Sequence, residues 1–114
     1  MPDFFKNTTG KRVYVNAGFT LSTYTELSLL FKKPDATTVT KTTSDGVTLN
    51  TSTKTVDGIT MTANQSVYYD IESGLLDTSG NWKTQLLYTN TGVNPDDNLY
   101  GSITTFKVID RVTD

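Results

Sequence analysis

Residues 25–38 read TELSLLFKKPDATT, and no other stretch constrains the fold of this chain as tightly. In an extended segment Leu27, Leu29 and Phe31 fall on one side, with Glu26, Ser28 and Lys32 on the other. Pro34 cannot donate a ladder hydrogen bond, so the run ends there in a turn. A strand with one apolar face needs a second apolar surface to cover it. The alternation in residues 82–88 and 102–108 nominates those two segments as the cover.

The remaining segments repeat this pattern in short pieces. Arg12–Asn16 sets Val13 and Val15 against Arg12 and Tyr14. Residues 37–43 alternate around Val39 and are expected to return as a hairpin partner of the first strand. Asp45-Gly46 and Asp57-Gly58 are favoured pairs for two-residue type I′ turns. They predict that residues 47–51 fold back on 39–43 and that residues 59–62 fold back on 54–56. Threonine, serine and lysine occupy the other positions here, so one side of residues 37–64 should face water. In residues 66–71, Val67, Tyr69 and Ile71 oppose Tyr68 and Asp70. Leu75 and Leu76 precede a turn-rich stretch, after which Trp82, Thr84, Leu86 and Tyr88 share one face and Trp82 is the natural core anchor. Residues 91–98 read as an irregular loop, and residues 100–112 as a closing strand with Phe106 and Val108 turned inward. The sum is seven to eight short strands with turn signals between them and no helix, an all-β, two-sheet antiparallel sandwich.

Composition sharpens this by exclusion. At 114 residues, 35% hydrophobic and 19% charged, the chain is one domain's worth of protein, too apolar for a disordered tail and too interrupted for a membrane span. A net charge of −2 offers no general attraction to nucleic acid or to anionic lipid. There is no cysteine and no histidine, which removes disulfides, thiolate nucleophiles, the commonest metal ligand and the usual general base of hydrolases. The first residues lack a basic start followed by an apolar run, so no secretory signal is read and synthesis is expected in a cytoplasm.

No constellation of catalytic residues stands out. Asp70 and Glu72, two apart, share a strand face and are the conceivable acid/base pair of a glycosidase, though a solvated strand edge explains them as simply. Asp96 and Asp97, with Asn94 and Asn98, supply oxygen ligands of the kind calcium prefers, in a spacing that matches no established calcium loop. Tyr14, Tyr24, Tyr68, Tyr69, Tyr88, Tyr100 and Trp82 raise an aromatic platform for sugar rings, while alternation turns several of them into the core. Asn7-Thr8-Thr9 and Asn50-Thr51-Ser52 match the glycosylation acceptor pattern, as expected by chance in a threonine-rich chain. Lys32-Lys33 and Lys11-Arg12 read as parts of a solvated face. Phe4 and Phe5, in a polar segment closed by Gly10, either tuck onto their own domain or dock on a neighbour.

The run LSLLFKKPDATTVT resembles a segment of bacteriophage virion proteins that carry an immunoglobulin-like domain, of the kind at the amino terminus of upper baseplate (BppU-like) proteins. Leu27, Leu29, Phe31, Lys32, Lys33, Pro34, Asp35 and Thr37 carry the match, and Ala36 stands where the family usually has glycine, which suggests a turn without a left-handed residue there. The later YYDIESGLLDTSGNWKTQL is similar through Leu76, Asp77, Gly80, Trp82 and Gln85, and the closing Phe106-Lys107-Val108 is like the family's last strand. Residues 50–64 are longer than the resemblance implies, as an added hairpin would be. The resemblance implies an immunoglobulin-like β-sandwich acting as a non-enzymatic structural protein of the virion, in tail, baseplate, neck or capsid decoration. Its partners would be other virion proteins and symmetry-related copies, with no cofactor and no metal. On this reading residues 1–10 are a docking segment, residues 11–114 the sandwich, and Phe4, Phe5, Asp57, Gly58 and Ile59 the interface candidates. The competing expectation is a host-surface carbohydrate-binding module.

Overall fold

The computed structural model describes residues 4–21, 24–56, 58–90, 97–101 and 103–110. They form an all-β sandwich of eleven strands, β1 Phe4–Phe5, β2 Arg12–Asn16, β3 Glu26–Lys32, β4 Thr38–Lys41, β5 Thr48–Leu49, β6 Lys54–Val56, β7 Ile59–Met61, β8 Ser66–Asp70, β9 Gly80–Asn90, β10 Asp97–Tyr100 and β11 Thr104–Ile109. The count exceeds the seven to eight expected; β1 and β10, of two and four residues, are too brief to show a period. No helix among the described residues is long and apolar enough to cross a membrane.

The larger sheet has six strands in the order β1-β11-β9-β3-β4, with β10 also on β9. β2-β8-β5 make a three-stranded sheet, and β6-β7 stand apart as a hairpin. Leu27, Leu29 and Phe31 are buried as their alternation requires, but their cover is not the one expected. Trp82 and Phe106 lie in the same sheet as Phe31, because β9 is the hydrogen-bonded neighbour of β3 (Leu29 opposite Leu86, Phe31 opposite Thr84) and β11 is the neighbour of β9 (Phe106 opposite Trp82). The cover comes from the smaller sheet, whose Val13, Val15, Val67 and Tyr69 join the same buried cluster, the Tyr69 ring lying 6.2 Å from that of Phe31. Apolar alternation marks which side of a strand is wet and which is dry; it does not say which strands sit beside it and which sit across from it.

Other turns also depart from the local signals. Residues 43–45 make a 3-10 turn closed by Gly46 at φ 110°, with the Asp45 carboxylate accepting the Thr42 backbone N–H at 3.0 Å, where a type I′ hairpin was expected. β5 therefore does not return to β4. It crosses to the other sheet and pairs with β8, Thr48 opposite Tyr68. The hairpin expected between residues 54–56 and 59–62 does form, Val56 opposite Ile59. Ala36, contrary to the turn expected from its replacement of glycine, takes φ 72°, so the left-handed position is kept and alanine bears its strain. The expected closing strand is split. Tyr100 pairs with Leu87 and Thr104 with Thr84, four chain steps against three, so a β-bulge separates β10 from β11 and β10 occupies part of the expected irregular loop. Gly101 sits at the bulge because a Cβ there would lie 3.2 Å from the Ala17 Cα and backbone oxygen.

Phe4 settles the choice left open for the amino-terminal aromatics. It is 6% exposed, edge-on to Phe106 at 5.5 Å, in a β1 that pairs parallel to β11. The Asn7 N–H donates to the Leu76 carbonyl and the Gly10 N–H to that of Ile71, so residues 4–10 are woven into the sandwich.

Candidate docking surface

The polar groups considered for catalysis are spoken for. Asp70 accepts from Arg12 Nε at 2.8 Å. Glu72 pairs with Lys41 Nζ at 2.8 Å and also accepts the Tyr69 hydroxyl, tying the edge of the larger sheet to the end of the smaller one. Burial would raise the Glu72 carboxyl, but the hydrogen bonds from Lys41 and Tyr69 outweigh it and hold the group below the usual carboxylate range. The two acids thus face different cations and do not form a carboxylate pair. Asn94 and Asp96 lie outside the described residues, as do the side chains of Asp97 and Asn98; among the described residues no group of three or more acidic side chains gathers to hold a metal ion. Asn50, matched as a glycosylation acceptor, is buried and its Nδ2 donates to Ser66 Oγ at 3.0 Å, which closes it to modification in the folded chain.

Of the aromatics, Tyr69 and Tyr88 are in the core. Tyr14 and Tyr68 lie opposite each other on the outer side of the smaller sheet, 5.8 Å apart and tilted by 54°. The Arg12 guanidinium sits 3.9 Å over the Tyr68 ring, so a cation already covers one of the two faces that a sugar would use.

The larger sheet carries an apolar margin. Among the described residues seven large apolar side chains are open to water; Tyr24 and Ile59 stand elsewhere, while Phe5 (56% exposed), Leu99, Tyr100 (58%), Ile103 (60%) and Ile109 lie on β1, β10, β11 or the bulge between the last two, with the exposed Thr105 and Lys107 between Ile103 and Ile109. Phe5 is opposite Ile109, and Tyr100 is opposite the half-buried Leu87 on the outer side of β9. Of the interface residues chosen from sequence, Phe5 belongs to this margin and Phe4 does not. Ile59 and Gly58 are exposed at the tip of the separate hairpin, and Asp57 lies outside the described residues. Ile103 and Ile109 lie on the outward side that the alternation gives them, though they were not among the interface candidates, whereas one alternating strand through residues 100–112 would turn Tyr100 inward with Phe106 and so hides the bulge. The lone glycine between Tyr100 and Ile103 was the available signal.

The two stretches that carry the virion resemblance meet at the other end of β9. Lys33 Nζ lies 2.9 Å from Asp77 Oδ1 and 5.8 Å from the Trp82 ring, and Pro34 packs on Gly80. The Trp82 indole donates to the Thr78 carbonyl at 2.8 Å. No protein-family model, curated protein or solved structure matches the chain. Among the described residues Arg12, Lys33 and Lys41 each pair with a carboxylate, and large apolar side chains stay exposed on one margin of the larger sheet.

Proposed function

We propose that this chain is a non-enzymatic structural module of a bacteriophage virion, an immunoglobulin-like sandwich that docks on other virion proteins or on copies of itself. The observation that carries docking is the apolar margin: Phe5, Tyr100, Ile103 and Ile109 expose large side chains along one flank of the larger sheet, in a chain whose core is otherwise closed. The virion context is supported by the resemblance, whose two segments pack together through Lys33, Asp77, Gly80 and Trp82. The test separates docking from folding. Ile103→Asp and Phe5→Asp should leave the melting temperature within a few degrees of wild type yet remove the chain from purified particles of the phage that encodes it. Unchanged incorporation of both variants would sink the docking margin, and absence of the wild-type chain from particles would sink the virion role.

A second reading, glycan binding, is favoured by the Tyr14 and Tyr68 pair. A glycan array that lights up with wild type and goes dark with Tyr14→Ala would put it first.

A further inference from the structure

Lys32 and Lys83 face each other directly across β3 and β9 on the outer side of the larger sheet. Like charges at directly opposed positions repel, so a sheet gains nothing from this pair by itself. Arg12, Lys33 and Lys41 each have a carboxylate partner, whereas neither Lys32 nor Lys83 has one among the described residues. Within β3 the next acid on that side is Glu26, six positions along and about 20 Å away, and Asp35, in the turn that follows, accepts the Thr37 N–H at 3.0 Å and pairs with neither lysine. The positive face persists although the chain as a whole is acidic, at net charge −2.

The two lysines also stand where two shallow grooves meet. One, of about 280 Å³, runs between Leu30, Thr38, Gln85 and Ile103, and the other, of about 160 Å³, runs toward Pro34 and Ala36; Lys32 and Lys83 line both. The resulting trough has an aliphatic end at Leu30 and Ile103 and a cationic middle. We propose that this trough binds an extended segment of a partner protein in which carboxylate side chains alternate with aliphatic ones, the carboxylates seated between Lys32 and Lys83 and the aliphatic groups on Leu30 and Ile103. An apolar floor beside two cations suits such a segment better than a nucleic-acid backbone, which needs a longer run of positive charge, or a sulfated glycan, which gains nothing from Leu30 and Ile103.

The inference rests on the docking reading only in requiring a protein partner. Its test uses the isolated chain, so its failure is distinct from failure to enter particles. The isotope-labelled protein is titrated with an end-blocked hexapeptide alternating aspartate and leucine, with its asparagine counterpart, with a heparin tetrasaccharide and with single-stranded DNA. The acidic peptide should shift the amides of Leu30, Lys32, Lys83 and Gln85, and the asparagine peptide should bind about tenfold more weakly or worse. Lys83→Glu should abolish binding while keeping or raising the melting temperature, since it turns a repelling pair into an attracting one. Lys54→Glu, on the separate hairpin, should change affinity less than twofold. The proposal is overturned if the acidic peptide leaves those amides unmoved, if heparin or DNA binds the trough as well or better, if Lys54→Glu weakens binding as much as Lys83→Glu, or if the chain self-associates through this face.

Discussion

Two residues sit where the fold would prefer another. Ala36, at φ 72°, closes the turn between β3 and β4 with the Ala36 N–H donating to the Lys33 carbonyl at 2.9 Å. An L-residue there costs about 1 kcal/mol or more, part of which glycine would return in unfolded-state entropy. Ala36→Gly is therefore expected to raise stability by roughly 0.5 kcal/mol, read as a higher denaturation midpoint with unchanged slope. Thr84 is the opposite case. It is buried among Phe31 and its neighbours, and its hydroxyl is the one buried side-chain polar atom without a partner among the described residues. Thr84→Val keeps the shape and removes the unmet hydroxyl, so stability should rise by about 1 kcal/mol in chemical denaturation. Trp82 needs no such repair, fully buried, stacked on Phe106 at 5.9 Å and with its N–H satisfied; truncation to alanine should cost about 3–5 kcal/mol.

At the scale of elements, β9 organises the molecule. Its eleven residues pair with β3 along one edge and with β11 and then β10 along the other, and the bulge lets one returning chain follow its whole length. The bulge is held by the Gly101 N–H donating to the Leu86 carbonyl and by Gln85 Nε2 donating to the Gly101 carbonyl at 2.8 Å. Gly101→Ala would push a methyl into the Ala17 backbone, which has no flexible end to swing away. The expected loss is about 1–3 kcal/mol, together with altered amide shifts across residues 86 and 99–101. β3, β8 and β9 were legible in the sequence because each runs through several alternations with large apolar residues inward. β10 and the bulge were not, since four residues and a single glycine cannot announce a register.

For the whole molecule, the two sheets are joined by the core and by a polar lock, Lys41 to Glu72 to Tyr69. Glu72 is held below the ordinary carboxylate range, as are Asp77 by its hydrogen bond from Lys33, Asp35 by the Thr37 N–H and Asp45 by the Thr42 N–H. Depressed carboxyls contribute stability that is full above their unfolded value near pH 4 and fades as pH falls through the folded one. The melting temperature should accordingly be flat from pH 7 to about 5 and drop toward pH 3, less steeply in Glu72→Gln. Tyr69 has the reverse sign: burial first and then its bond to Glu72 raise the phenol, so its contribution is complete below about pH 10 and lost above it. Tyr69→Phe should flatten the alkaline limb. The sequence by itself determined the class of the fold, the inward faces of β2, β3, β8 and β9 and the role of Trp82, because period-two alternation and residue size are written locally. Only the tertiary structure decided that β9 lies beside β3 and the smaller sheet across from it, that Phe4 is core and Phe5 surface, and that Lys32 meets Lys83. Strand order and register are set by which apolar faces close on one another across the chain, and no local run of residues encodes that.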